Sequence, residues 1–91
     1  MSARQLFQAL KVLIGVVHLP PLPGSPGWGG DMSWVLSRAQ EEVSVLEQGG
    51  ANGIIVENFS DVPFRIGQVE PDTVAAMTLA VERVKQGTDL P

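Results

Sequence analysis

Residues 12–26 read Val-Leu-Ile-Gly-Val-Val-His-Leu-Pro-Pro-Leu-Pro-Gly-Ser-Pro, and this stretch decides the fold class. Its first part, residues 12–19, is an aliphatic run without polar alternation, which is typical of a strand that is covered on both faces in a parallel sheet. The prolines that follow prevent a helix and keep the chain extended, so the strand leads into a stiff loop. The stretch therefore predicts an α/β fold in which helices cover a parallel sheet.

The rest of the chain repeats this unit of strand, loop and helix. The pattern predicts a helix over 32–48, a second strand over 53–58, a second helix over 71–86 and the start of a third strand near residue 90. Asp31 or Ser33 is suited to cap the first helix. The predicted core stripes are Val35, Ala39, Val43 and Leu46 in the first helix and Val74, Met77, Val81 and Val84 in the second. Residues 1–91 thus form a partial domain of tandem βα units, which continue either into an open sheet or into a closed eight-stranded barrel.

The amino-terminal segment is amphipathic. Leu6, Phe7 and Leu10 recur at helical spacing within residues 3–10, which predicts a short helix that covers the bottom of the sheet. The segment is too polar for the core of a signal peptide, and no apolar run approaches the roughly 20 residues of a membrane span. We therefore expect any membrane association to be peripheral.

The composition is that of a globular protein with an acidic balance. Apolar residues make up 44% of the chain, and 6 basic against 10 acidic residues give a net charge of −4. This balance argues against nucleic acid as a partner. The absence of cysteine excludes disulfides and thiolate metal sites, and it is compatible with a reducing compartment.

One polar residue ends each of the two predicted strands. His18 ends the first and Glu57 the second, and the carboxyl ends of parallel strands border the ligand crevice in α/β folds. A neutral imidazole beside a carboxylate can transfer a proton near neutral pH, so His18 and Glu57 are the candidate catalytic acid and base. Asn58 and Asp61 are candidate binding residues. The alternative is that His18 and Glu57 only satisfy each other or loop amides at the rim of the sheet.

The proline-rich loop has two interpretations. Its PxxP registers, Pro20 to Pro23 and Pro23 to Pro26, can present a polyproline II helix to an aromatic groove, but a stiff wall beside the candidate site explains the same prolines. Trp28 and Trp34 can stack on a ligand, although we favour packing or a lid role for each. The loop glycines lack the spacing of a phosphate-binding loop. We assign no metal site, and the cofactor, if there is one, is unknown.

Three segments in order resemble one protein family. Residues 14–26, residues 53–64 and residues 73–78 resemble the BtpA/SgcQ family, with the variant 28–30, Trp-Gly-Gly, most similar to its cyanobacterial members. The resemblance runs from about residue 12 to the end of the chain and covers the amino-terminal third of the family's length. It implies that the chain forms the first βα units of a TIM (β/α)8 barrel and not the complete barrel.

The resemblance also implies a function. Cyanobacterial members of the family support the accumulation of photosystem I reaction-centre proteins, so it implies photosystem I proteins or the thylakoid surface as partners and a peripheral location on that membrane. A small anionic ligand in the full barrel and an oligomer are both compatible with it. Two alternatives stay open: a TIM-barrel enzyme that acts on a small phosphorylated or nucleoside-type substrate, and a truncated fragment without independent function.

Overall fold

The computed structural model describes residues 2–7, 11–58 and 70–91. The elements are α1 (Ala3–Phe7), β1 (Ile14–His18), α2 (Met32–Gln48), β2 (Gly53–Glu57) and α3 (Pro71–Gly87). The two strands form a two-stranded parallel sheet. The predicted α/β class is confirmed as this sheet with its helices.

Both strands are shorter than the sequence predicts. β1 begins at Ile14 rather than at residue 12. Leu13 N donates to the side-chain oxygen Asn52 Oδ1 at 2.9 Å, and this bond takes the place of a backbone hydrogen bond between the strands. At the other end, Leu19 N donates to Glu57 O at 3.0 Å, but Pro20 has no N–H with which to continue. β2 ends at Glu57 rather than at residue 58.

The bounds of α2 follow from local chemistry. Asp31 is its N-cap, and the Asp31 side chain accepts a hydrogen bond from Trp34 N at 3.2 Å. At the carboxyl end, Gly50 has a φ of +98°, a conformation that L-residues rarely adopt. α2 therefore spans the predicted range, and α3 begins at Pro71 and runs one residue beyond the predicted 86.

Both long helices pack on the same face of the sheet. The core consists of Val17, Leu19, Leu22, Val35, Ala39, Val43, Ala76, Ala80 and Val84. Gly15 lies on this face, directly beneath the Leu46 side chain of α2. On the opposite face, Ile14 and Ile55 are 38% and 48% exposed. The expectation that the strands are covered on both faces is wrong for the described residues, because α2 and α3 lie on one side of the sheet.

The core stripe of α3 agrees with the predicted one at Val84, which is buried, and at Met77, which packs against the core, and differs elsewhere. Its buried residues are Ala76, Ala80 and Val84, whereas Val74 and Val81 are 55% and 38% exposed. Small alanine side chains allow two helices to approach closely, so α3 turns its alanines toward α2. The larger valines are left on a side of α3 that no described element covers.

α1 covers one end of the open face. A Cβ atom at Gly53 would lie 2.6 Å from Phe7 Cε1 and 3.1 Å from Ile14 Cδ1. The Phe7 ring therefore fills the space that a side chain at the start of β2 would take, which agrees with the predicted position of this helix at the bottom of the sheet. Leu10 lies outside the described residues.

The free edge of β2 meets the end of the chain. Ile54 N donates to Pro91 O at 2.9 Å, and residues 88–91 have extended or irregular backbone. A third strand that starts near residue 90 stays a prediction, and this hydrogen bond is the contact that such a strand would make.

The helices are amphipathic rather than apolar all round. α2 and α3 have 17 residues each and bury one side only. Among residues 2–7, 11–58 and 70–91, no helix has both the length and the apolar character to cross a membrane.

Candidate functional site

The parallel register brings His18 and Glu57 together. The two residues are direct partners in the ladder between β1 and β2, and direct partners project to the same face of a sheet. They share the open face with Ile14, Val16 and Ile55, because side chains alternate along each strand. The sheet therefore places an imidazole and a carboxylate side by side at its carboxyl edge, as their positions at the strand ends predict.

The pair is close but not in direct hydrogen-bond contact. His18 Nδ1 lies 3.9 Å from Glu57 Oε2, and the two side chains are 57% and 41% exposed. A hydrogen bond between these atoms would need a distance near 3 Å. Both groups are therefore held near each other by the backbone, and both remain accessible to a molecule that approaches the strand ends.

This geometry suits proton transfer. An imidazole and a carboxylate are groups that can act as general acid and general base. At 3.9 Å the two groups do not satisfy each other by a direct hydrogen bond. The arrangement can supply an acid and a base, and the catalytic role stays a prediction.

The two predicted binding residues do not join this pair among the described residues. Asn58 follows Glu57 by one position and lines a groove of about 550 Å³ along α3, together with Thr73 and Met77. The alternation of side chains along β2 explains why it turns away from Glu57. Asp61 lies outside the described residues. Within the segments that the structure describes, no three His, Asp or Glu side chains come together as potential metal ligands.

A second feature, a cavity lined by two tryptophans, lies near the same edge. Trp28 and Trp34 line one cavity of about 450 Å³ with Pro20 and Pro21. Trp28 packs partly on the core, as expected, but Trp34 is 53% exposed. Two tryptophans six positions apart on either side of a helix cap are the signal in the sequence that points to this cavity.

Comparisons with known proteins give a consistent result. The sequence model of the BtpA family matches residues 9–91. The photosystem I biogenesis protein BtpA of Synechocystis is 51% identical over 85 residues, which cover 93% of this chain and 30% of that protein. An uncharacterized protein of Pyrococcus horikoshii is 43% identical over 89% of this chain and 31% of its own length.

The similarity extends to animals but not to solved structures. An uncharacterized mitochondrial protein of Caenorhabditis elegans is 35% identical over 96% of this chain and 31% of its own length. No solved structure matches significantly. The chain thus spans about a third of the length of the curated relatives that it matches.

Proposed function

We propose a function from a premise that the comparisons establish: this chain belongs to the BtpA family. The proposed role is that of a photosystem I biogenesis or stability factor, which supports the accumulation of reaction-centre proteins at the thylakoid. The observation that carries the proposal is the 51% identity, over 93% of the chain, to a protein that bears this name in Synechocystis. Peripheral attachment to the thylakoid belongs to the same proposal.

The framework proposed for this role is a TIM barrel of which the chain forms the first two βα units. Placement of α2 and α3 on one face is the arrangement that this framework requires, because a barrel carries its helices outside and its side-chain core inside. In a barrel, Ile14, Val16 and Ile55 would belong to the interior. The bond from Ile54 N to Pro91 O supports a third strand beside β2.

Complementation tests the biogenesis role. Deletion of the Synechocystis relative's gene should lower the amount of photosystem I reaction-centre proteins, and the gene that encodes this chain, in its longest native form, should restore it. The measurement is immunoblotting of reaction-centre subunits together with the photosystem I to photosystem II ratio. Expression at a normal level without any restoration would contradict the proposal.

An enzymatic role is the second candidate, and the His18–Glu57 pair favours it. The relatives include archaeal and nematode proteins, which come from organisms that are not photosynthetic, so an activity common to the family would not be restricted to photosystem assembly. The proposed reaction uses His18 and Glu57 as acid and base on a small phosphorylated or nucleoside-type substrate. Asn58 and Asp61 are the proposed binding residues.

The same complementation separates these two roles. His18→Ala removes the imidazole at an exposed position, and Leu79→Ala removes an exposed apolar side chain from α3. A catalytic role predicts that His18→Ala abolishes restoration while the protein accumulates normally. A scaffold role predicts that His18→Ala is tolerated and that outer-surface variants such as Leu79→Ala reduce restoration.

The length of the native product tests the framework itself. A product of about 250 residues, measured by intact mass in the source cell, supports a complete barrel. A native product of 91 residues would contradict the barrel and favour a truncated fragment or a chain that needs a partner.

A further inference from the structure

The loop between β1 and α2 encloses a cavity that is separate from the His18–Glu57 pair. The cavity has a volume of about 450 Å³, and its walls include Pro20, Pro21, Trp28, Asp31 and Trp34. Neither His18 nor Glu57 lines it. Its volume is within the range of small-molecule sites in proteins.

The walls of this cavity are fixed by the core. Leu19 and Leu22 flank the two wall prolines and are fully buried, so the prolines are held from both sides. A Cβ atom at Gly27 would lie 3.1 Å from Pro21 Cγ, so the backbone packs directly on the proline ring. Trp28 N donates to Ser25 O at 3.0 Å, which closes the turn before the indole. The cavity is therefore a formed feature of the loop.

The chemistry of the walls favours a positively charged group. Two tryptophans line the cavity, and the indole π face attracts cations more strongly than other aromatic rings do. Asp31 adds a carboxylate, and none of the residues that line the cavity is basic. The amino end of α2 lies beside the same cavity, and Asp31 Oδ1 accepts from Trp34 N there. This helix end carries only about half a positive charge, so the full negative charge of Asp31 outweighs the charge of the helix end.

We propose that this cavity binds an organic cation, an alkylated ammonium or a guanidinium group, seated against Trp28 and Trp34 beside Asp31. Trp34 is half exposed and is the more accessible of the two rings, whereas Trp28 packs partly against the core. Hydration opposes burial of a compact primary ammonium more than of these diffuse cations. The cation comes either from a free small molecule or from an arginine side chain of another protein.

Nuclear magnetic resonance of the indole N–H groups tests this proposal on the longest native form of the protein. The Trp28 and Trp34 signals are assigned through Trp28→Phe and Trp34→Phe. Choline chloride represents a free cation, and 3,3-dimethyl-1-butanol is its neutral isostere. An N-acetylated and C-amidated tripeptide with a central arginine represents a protein side chain, and the citrulline tripeptide with the same blocked ends is its neutral isostere. Sodium chloride at equal concentration controls for ionic strength.

The expected result is a saturable shift of both indole signals with a cationic probe and a much smaller shift with its neutral isostere. Saturation by choline identifies a free small molecule as the source, and saturation by the arginine peptide alone identifies a protein side chain. Equal shifts with charged and neutral probes would overturn the proposal in favour of an apolar site. The absence of any saturable shift would overturn it as well.

Two variants locate the interaction. Asp31→Asn removes the charge but retains an oxygen that caps α2, and it should weaken cation binding about threefold, as expected for an exposed charge pair. Glu47→Gln removes a carboxylate elsewhere on the same helix and should leave binding unchanged. Trp34→Leu removes the accessible π face and should weaken binding about fivefold. Equal effects of Asp31→Asn and Glu47→Gln would show a general charge effect and contradict the site.

Discussion

The two faces of the sheet differ in how far this chain completes them. On the helix-covered face, Val17 is fully buried beneath α2 and α3. On the open face, Ile14 and Ile55 keep 38% and 48% of their surface exposed, and Phe7 covers only the amino end. The difference shows that the described residues bury one apolar face of the sheet and leave the other partly exposed.

The largest expected effect follows from a charge on the covered face. Val17→Asp buries an unpaired carboxylate and should cost about 4 kcal/mol or more, enough to abolish cooperative unfolding of a small domain. Ile55→Asp, on the open face of the same sheet, should cost about 1 kcal/mol in the 91-residue chain. Urea unfolding followed by circular dichroism measures both. Similar losses for the two variants would contradict the contrast between the faces.

The next effect tests whether the open face becomes an interior. Ile55→Ala should cost less than about 1 kcal/mol in the 91-residue chain, where the side chain is half exposed. In a longer native product that closes a barrel, the same substitution should cost about 2 to 4 kcal/mol, because it creates a cavity. An equally small cost in both proteins would mean that nothing covers this face.

A smaller effect is expected at the amino end of the open face, which the Phe7 ring covers. Gly53→Ala places a methyl group against the Phe7 ring and should cost about 1 to 3 kcal/mol through overpacking. Gly29 is the matched control, since a Cβ atom there meets nothing within 4 Å, and Gly29→Ala should be nearly neutral. Thermal unfolding of both variants provides the comparison. A neutral Gly53→Ala would show that α1 does not dock on this end.

The smallest effect is expected at the carboxyl edge. His18→Ala and Glu57→Gln should each change the free energy of unfolding by less than about 0.5 kcal/mol, because the pair is exposed and its atoms are 3.9 Å apart. Urea unfolding of both single variants and of the double variant measures the coupling. A coupling above about 1 kcal/mol would identify a structural ion pair and weaken the argument for a catalytic role.

The parts of the fold that depend on neighbouring residues could be predicted from the sequence. Asp31 caps α2, Pro71 begins α3, and the aliphatic runs become parallel strands, because caps, proline and local hydrophobic patterns act over a few positions. The core side of α3 could not be predicted in the same way. Counting large apolar residues favoured Val74 and Val81, but the close approach of α2 selects Ala76 and Ala80.

In the candidate site as well, the sequence predicts some features and the tertiary structure decides others. The positions of His18 and Glu57 at the strand ends follow from the sequence, but their direct pairing follows from the register, in which a slip of one residue would put them on opposite faces. Asn58 is adjacent to Glu57 in sequence and yet lines a groove along α3. Proximity in sequence therefore did not predict proximity in the site.

By itself, the sequence determined the α/β class, the bounds of α2, the start of α3, the family and the strand-end positions of His18 and Glu57, because each depends on local residue chemistry or on ordered motifs. Tertiary structure alone decided that both helices share one face, that α3 packs through alanines and that Trp28 and Trp34 border one cavity. These outcomes depend on how distant segments fill space together. Close packing selects the shape and volume of the side chains that meet, and local sequence patterns do not contain that information.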